Sequence, residues 1–438
     1  MSGRTALEGT GMVRTVHRDG VSGASSPSGS FPSGSATRGR AHRVLIVVQN
    51  LPVEVDRRVW LECQALVAAG FGVTVICPRG RDPRRKRLLD GVVIRTYRPP
   101  PETHGVASFV YEFAYCWIRT FLLALIASVR EGFDVVQACN PPDTYFLLGA
   151  IFKLAGKKFV FDQHDLSPEL FESRFGHRGV LHRTLLRLES ATYRVADRVL
   201  STNESYRDIA MTRGHVPARK LTVVRSGPDP EAMRRGDPVP ELRQGKRHLL
   251  VWIGIMGPQE GLEELLEALK YLVVDLGRDD VQLALLGFGD SLDGLRVRTR
   301  ELGLESHVTF TGRADLPMIR DYLSTATLGL SSDPMSPLNN LSTMNKTLEY
   351  MAFELPVVAY RLHETEVSAG EAAVYVEPGD IGAFAEAVVA LLDDADRRAE
   401  MGRIGRRRIE DSLSWPHSAP GYVGVFRSLT TGRYATRR

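Results

Sequence analysis

From Arg43 onward, short unbroken apolar runs alternate with segments whose apolar residues recur every three or four positions. Val44-Leu45-Ile46-Val47-Val48 has no polar interruption, the pattern of a strand buried on both faces. A polar loop from Gln49 to Asp56 follows. Val59, Cys63, Leu66 and Val67 then recur at helical spacing, Gly70 and Gly72 close that helix, and Val73–Cys77 reads as the next strand. The unit repeats, with strands predicted at Val92–Tyr97, Asp134–Ala138, Lys158–Asp162, Arg198–Ser201 and Leu221–Val224. Helical patterns such as Leu181, Leu185 and Leu188 lie between most of them. This alternation predicts a parallel sheet covered on both faces.

Pro, Gly and charged residues then crowd the stretch from Gly227 to Pro240, the composition of an interdomain linker. The strand–helix pattern restarts at Leu249–Ile253 and continues through Gln282–Leu286, Val308–Phe310, Leu328–Ser331, Pro356–Ala359 and Ala373–Val376. The predicted fold class is α/β, with two facing, doubly wound Rossmann-like domains. The predicted division is a disordered tail over 1–40, a first domain over 41–230, a linker over 231–246, a second domain over 247–412 and a C-terminal segment over 413–438. In such sheets ligands bind beyond the carboxyl ends of the strands, and the cleft between two such domains is the expected site.

Composition narrows the class. Residues 1–40 are rich in Ser, Gly, Thr and Arg and lack the apolar run of a signal peptide. A net charge of +4 is too slight to argue for nucleic-acid binding. The four cysteines, Cys63, Cys77, Cys116 and Cys139, have no metal-like spacing and read as reduced core residues of a cytoplasmic protein. Val106 to Val129 is the most hydrophobic stretch. Glu112 and Arg119 interrupt it, at a cost of roughly 2.5–3.5 kcal/mol for a charge in mid-membrane, so it reads as a buried or interfacial helix rather than a span. Six basic residues crowd Arg79–Arg87. They read as a solvated loop or as a contact for anionic lipid.

The chemistry concentrates after strands. Ser342-Thr343-Met344-Asn345-Lys346-Thr347-Leu348-Glu349 reads as a loop entering a helix, and Lys346 and Glu349 share one face near its start. A cation at a helix N-terminus suits phosphate, and a carboxylate one turn deeper suits ribose hydroxyls; a surface ion pair is the plainer alternative. Two glycine-rich turns, containing Gly254 and Gly257 and Gly287 and Gly289, fall at the same predicted sheet edge. Neither has G-x-G-x-x-G or Walker spacing. In the first half, His164 and Asp165 follow a predicted strand, and the histidine reads as a contact to a substrate hydroxyl or as a structural histidine bonded to a turn carbonyl. Glu54, Arg57 and Arg58 open a helix, where they could meet a polar acceptor or simply follow an N-cap at Asp56. Asp394-Ala395-Asp396 reads as a surface turn, and no zinc spacing or G-x-S-x-G motif is present.

These residues, over roughly 43–428, resemble the GT-B glycosyltransferases of the family 4-like group. The resemblance rests on Asn345 to Ala352 with Leu355-Pro356-Val357-Val358, on Asp162-Gln163-His164-Asp165, on Val224 to Asp229, on Gly287-Phe288-Gly289, and on Val374 to Asp380. It implies that the first domain holds a glycan or polyprenyl-linked acceptor, through Glu54, Arg57 and Asp165. It implies that the second domain holds a nucleotide-sugar donor, a UDP-sugar, through Gly254, Gly257, Gly287, Gly289, Asn345, Lys346, Thr347 and Glu349. His164, Lys346 and Glu349 would carry the transfer. The resemblance further implies retention of anomeric configuration, no metal and no cofactor, and a final helix returning to the first domain. Two positions depart from the family pattern. Leu341 stands where the first Glu of E-x7-E belongs, and Ile255 and Glu260 stand where many relatives carry a basic diphosphate clamp. Lys346 is then expected to take over that charge. A sugar-nucleotide epimerase and a non-catalytic nucleotide or carbohydrate binder remain alternatives. The apolar stretch and the basic run, both in the acceptor half, predict peripheral contact with the cytoplasmic membrane face.

Overall fold

The computed structural model describes residues 41–80, 82–100 and 106–431. The expectation for residues 1–40 lies outside them. The first half is built from β1 (Arg43–Val47), β2 (Gly72–Pro78), β3 (Lys86–Leu89), β4 (Val92–Tyr97), β5 (Val135–Cys139), β6 (Lys158–Gln163), β7 (Arg198–Ser201) and β8 (Leu221–Val223). They form one sheet in the order β3-β4-β2-β1-β5-β6-β7-β8, parallel except for the β3–β4 pair. Helices α1 (Arg57–Ala68), α2 (Val106–Arg130), α3 (Phe146–Leu154), α4 (Ser167–Phe175), α5 (Val180–Val195) and α6 (Glu204–Thr212) connect the strands.

The second half repeats the plan with β9 (His248–Ile255), β10 (Val281–Phe288), β11 (Val308–Gly312), β12 (Leu328–Ser331), β13 (Val357–Tyr360) and β14 (Ala373–Val376). Their order is β11-β10-β9-β12-β13-β14, all parallel. Around them lie α7 (Leu262–Lys270), α8 (Leu292–Glu301), α9 (Leu316–Thr325), α10 (Pro337–Leu341), α11 (Asn345–Ala352), α12 (His363–Ala369), α13 (Ile381–Asp393) and α14 (Ala395–Arg408). The central strands are unbroken apolar runs because both faces are covered. Leu45, Ile46 and Val47 are fully buried, as are Leu249, Val251 and Trp252.

The last helix, α15 (Trp415–Thr430), leaves the second half and packs Trp415, Tyr422 and Phe426 into the core around β1, α1 and β2. Each such side chain contributes about 1.5–3 kcal/mol by burial, enough to hold the helix there. Its N-terminus passes so close to the linker that a Cβ on Gly227 would sit 1.9 Å from the Leu413 carbonyl oxygen. The two crossing segments therefore touch at a point where no side chain fits.

One sequence reading changes. The basic run is not a solvated loop throughout: Lys86–Leu89 is an antiparallel edge strand on β4. Arg87 pairs with Glu54 and with Asp82, and Lys86 and Arg95 both reach Glu131. The stretch read as a buried or interfacial helix is α2, which buries Cys116, Thr120, Ala124 and Ala127 but leaves Ile118, Leu122, Leu125 and Val129 exposed. Asp394 caps α14 by accepting from the Arg397 amide at 2.9 Å, so Asp394-Ala395-Asp396 is a helix-starting surface turn.

Candidate active site in the interdomain cleft

The carboxyl ends of both sheets converge on one cleft. On the first side, the loop after β1 ends at Asp56, whose carboxylate caps α1 by accepting from the Val59 amide at 3.1 Å. Arg57 and Arg58 are the first two residues of that helix, about 100° apart around its axis, and they do opposite things. Arg58 turns inward and is buried. It donates to Asp162 at 2.8 Å, to the Val224 carbonyl at 2.7 Å and to Ser226 Oγ at 2.9 Å, and lies 3.1 Å from Glu62.

Arg58 anchors a buried polar network that ends on His164. Tyr422 of α15 donates to the Gln137 amide oxygen at 2.7 Å. That fixes the Gln137 amide, whose nitrogen then donates to Asp162 at 2.8 Å and to Glu62 at 2.7 Å. Asp162 also accepts from Cys139 Sγ at 3.7 Å and lies 2.8 Å from His164 Nε2. Arg58 Nε also lies 3.1 Å from Nε2, but one ring nitrogen cannot donate and accept at once. Asp162 is acceptor-only and the Arg58 Nε–H donor-only, so the Asp162 contact is made with Nε2 protonated and the Arg58 contact with it unprotonated. Burial alone would raise the Asp162 pKa, but Arg58 and His164 outweigh it and hold this carboxyl well below its usual range. Glu62 shifts the other way, pushed up by burial and then by the Asp162 charge. Of the two carboxyls beside Arg58, Asp162 is therefore the more acidic. Glu62, Cys139, Asp162 and His164 also have the donor atoms of a metal site, all within 4.8 Å of one another. The Arg58 guanidinium already lies among them, so a metal ion there would meet a resident cation.

The His164 main chain is held as firmly as its ring. Asn140 Oδ1 accepts from the amides of His164 at 2.7 Å and Asp165 at 3.2 Å, and its Nδ2 donates to the Asp165 carbonyl at 2.7 Å.

On the second side, α11 is buried from Lys346 to Ala352. The Lys346 ammonium lies 2.5 Å from Asp333 and 2.7 Å from Glu260, and 5.1 Å from the centre of the Trp252 ring. Burial lowers its pKa, but the two carboxylates outweigh this and raise it. The ammonium therefore sits beside residue 260, where the clamp was expected, but its charge is already met by two acids. Thr347 is buried beside Ser331, and Asn345 opens the helix. Gly254 and Gly287 face each other across β9 and β10. A Cβ at Gly287 would fall 2.0 Å from the Gly254 carbonyl, so backbone crowding alone requires glycine there. Gly257 and Gly289 lie in the turns just beyond.

Glu349 is reached from the opposite domain. Arg57 Nη2 lies 2.5 Å from its carboxylate, with the Arg57 side chain 38% exposed and Glu349 only 9%. Arg57, expected at an acceptor, thus stands on Glu349, a residue expected at the donor. Glu54, also expected there, is paired with Arg87. Other contacts close the cleft alongside. Leu338 and Leu341 of α10 pack with Leu166, Leu170, Tyr206 and Ile209. Asn203 donates to the Leu341 carbonyl at 2.8 Å, and Tyr206 and Ser342 share a hydrogen bond of 2.8 Å. The missing Glu of E-x7-E is thus an apolar interdomain contact.

The model of the "Glycosyl transferase 4-like domain" matches residues 54–227, and that of "Glycosyl transferases group 1" matches residues 247–394. The chain belongs to the family 4-like glycosyltransferases. This glycosyltransferase is 29% identical over 396 residues to the GDP-mannose-dependent alpha-(1-6)-phosphatidylinositol monomannoside mannosyltransferase of Mycobacterium tuberculosis, a match covering 79% of this chain and 100% of that one. It is 26% identical over 366 residues to a D-inositol 3-phosphate glycosyltransferase of Catenulispora acidiphila, covering 79% of this chain and 83% of that one. In fold it is similar to the sucrose-phosphate synthase of Thermosynechococcus elongatus, with a TM-score of 0.71 at 19% identity over 90% of this chain and all of that one. Anabaena HepE in complex with UDP gives 0.65 at 17%, over 88% of this chain and all of that one. The glycosyltransferase therefore has the GT-B fold. Sequence reasoning passed over Gln137, Asp333 and Tyr422, which lie in a strand, a loop and a helix far apart in sequence. Only the mid-strand polar residue Gln137 stood out, flanked by Val136 and Ala138 in an otherwise apolar strand.

Proposed function

We propose that this glycosyltransferase retains anomeric configuration while moving a hexose from a nucleotide-sugar donor to a hydroxyl of a glycan or lipid-linked acceptor, in synthesis of a cell-surface polysaccharide. The observation that carries this reading is the convergence of His164, from the first domain, and Glu349, from the second, on one cleft. Glu349 would bind the ribose, and the acceptor domain would present its hydroxyl near His164. Lys346, with Asp333 and Glu260, would hold the donor loops against α11. Closure of the cleft also suits a transferase, since excluding water limits donor hydrolysis. No metal is assigned a role.

The acceptor domain supports a lipid-linked substrate. The outer face of α2 presents Tyr111, Ile118, Leu122, Leu125 and Val129 to solvent, with Arg130 at its end. Among the described residues, Tyr111–Arg130 is also the one helix long and apolar enough to cross a membrane, but with its inner face packed on the sheet it would lie in the interface. The protein would then work at the cytoplasmic membrane face.

The test is a panel of UDP- and GDP-hexoses with and without polyprenyl-linked and phosphoinositide glycolipids. Nucleotide release that depends on acceptor, with an α-linked product from an α-linked donor, is the expected result. Isomerised donor without acceptor would make the protein an epimerase, and binding without turnover would make it a carbohydrate- or nucleotide-binding relative.

A further inference from the structure

A departing nucleoside diphosphate needs positive charge beside it, and neither the two expected clamp positions nor Lys346 offers a free one. Ile255, half exposed, replaces one cation of the expected clamp, and Glu260 replaces the other. Lys346 is buried, with two carboxylates within 2.7 Å. Arg58 is buried with Asp162 and Glu62. Arg57 differs from all of these. It lies at the N-terminus of a 12-residue helix, a position that itself favours anions. Its side chain is 38% exposed and pairs with Glu349, the carboxylate proposed for the ribose. Its backbone is held in place by the Asp56 cap and by the buried Arg58 beside it.

We infer that Arg57 is a catalytic residue that reaches across the cleft from the acceptor domain to bind the donor's diphosphate. The inference rests on the donor site proposed above. In the structure, Arg57 and Glu349 pair across the cleft. When donor enters, Glu349 exchanges the guanidinium for ribose hydroxyls, and Arg57 turns onto the adjoining phosphates. In transfer, the bond between the sugar C1 and the phosphate oxygen breaks, and its electron pair goes to that oxygen. The acceptor oxygen forms the new bond to C1, and its proton passes to the released phosphate. Arg57 meets the charge that develops on the leaving group. Because Arg57 belongs to the other domain, this charge is complete only with the cleft closed, which couples catalysis to closure.

The experiment compares the native protein with Arg57→Ala, Arg57→Lys and Glu349→Gln, each checked for native folding by circular dichroism. Calorimetry measures binding of uridine, guanosine, UDP and GDP, and turnover is measured with the matching nucleotide sugar. Arg57→Ala should weaken the preferred diphosphate on the order of 10- to 100-fold while leaving its nucleoside within about twofold. Arg57→Lys should recover part of that loss. Glu349→Gln should weaken nucleoside and diphosphate alike. Equal loss of nucleoside and diphosphate in Arg57→Ala would reduce Arg57 to a support for Glu349 and overturn the inference. So would unchanged diphosphate affinity. Failure of the native protein to bind either diphosphate would overturn the donor-site reading itself, and the inference with it.

Discussion

The ammonium of Lys346 lies 2.5 Å from a carboxylate oxygen of Asp333, beneath the donor side of the cleft. With Glu260 on its other side, two acids surround one buried cation, and burial with the Asp333 charge raises the Glu260 pKa despite Lys346. Lys346→Met would leave those acids facing each other with no cation. A loss of about 3–5 kcal/mol is expected in urea melts. Adding Glu260→Gln and Asp333→Asn to the same protein should restore most of it. If Lys346 acts as a scaffold, the triple variant should also bind UDP or GDP within several-fold of native. A stable triple variant with no nucleotide affinity would return Lys346 to the phosphate.

Tyr422 and His164 are linked through Gln137 and Asp162 by three successive contacts of 2.7–2.8 Å. Tyr422→Phe removes the donor that orients the Gln137 amide, so the amide can turn its oxygen toward Asp162. Stability should fall by about 1–2 kcal/mol. Turnover should fall about 10-fold through a slight displacement of the His164 ring, with the donor KM unchanged. A merely structural role would lower the melting temperature and leave kcat of the folded protein intact.

Leu341 shows how a departure from a family pattern can be a gain elsewhere. Leu341→Glu would recreate the E-x7-E spacing, but it would place a carboxylate among Leu166, Leu170, Tyr206 and Ile209. Partial burial without a partner should cost about 1–3 kcal/mol. The variant should populate a more open arrangement by small-angle scattering and turn over more slowly. Faster turnover would mean that the position still belongs to the donor site.

The strands were legible because each lies between two helical layers and must be apolar throughout. Residues Arg198–Ser201 and Leu328–Ser331 read directly as β7 and β12. Strand β3 was not, since Lys86-Arg87-Leu88-Leu89 carries no alternation of its own and is a strand only because β4 offers an edge. Glu349 and His164 were legible through local motifs. Their partners were not, because Arg57 and Glu349 come from different domains and only the closed cleft brings them together. The partners of Lys346 were hidden for the same reason: Glu260 and Asp333 converge on it from two other loops.

Asp143 gives the site region a pH dependence. It follows β5 in the turn that carries Asn140, and Asn140 Nδ2 donates to its Oδ1 at 3.2 Å while also holding the His164 loop. Its other oxygen is buried with no hydrogen-bond partner. Burial, only partly offset by hydrogen bonds from Ser167 and Asn140, pushes its pKa up from 3.8 to about 6. A carboxyl whose pKa is raised by folding stabilises the fold fully below its unfolded value and loses that contribution as pH rises through the folded one. The loss therefore falls between pH 3.8 and about 6, and it amounts to about 2–3 kcal/mol. Asp143→Asn cannot ionise and escapes it. Relative to native, the variant should gain about that amount of stability between pH 4 and pH 8 in urea melts. A constant difference between the two proteins across this range would mean that Asp143 titrates near its ordinary value, and that Asn140 faces a charged carboxylate throughout.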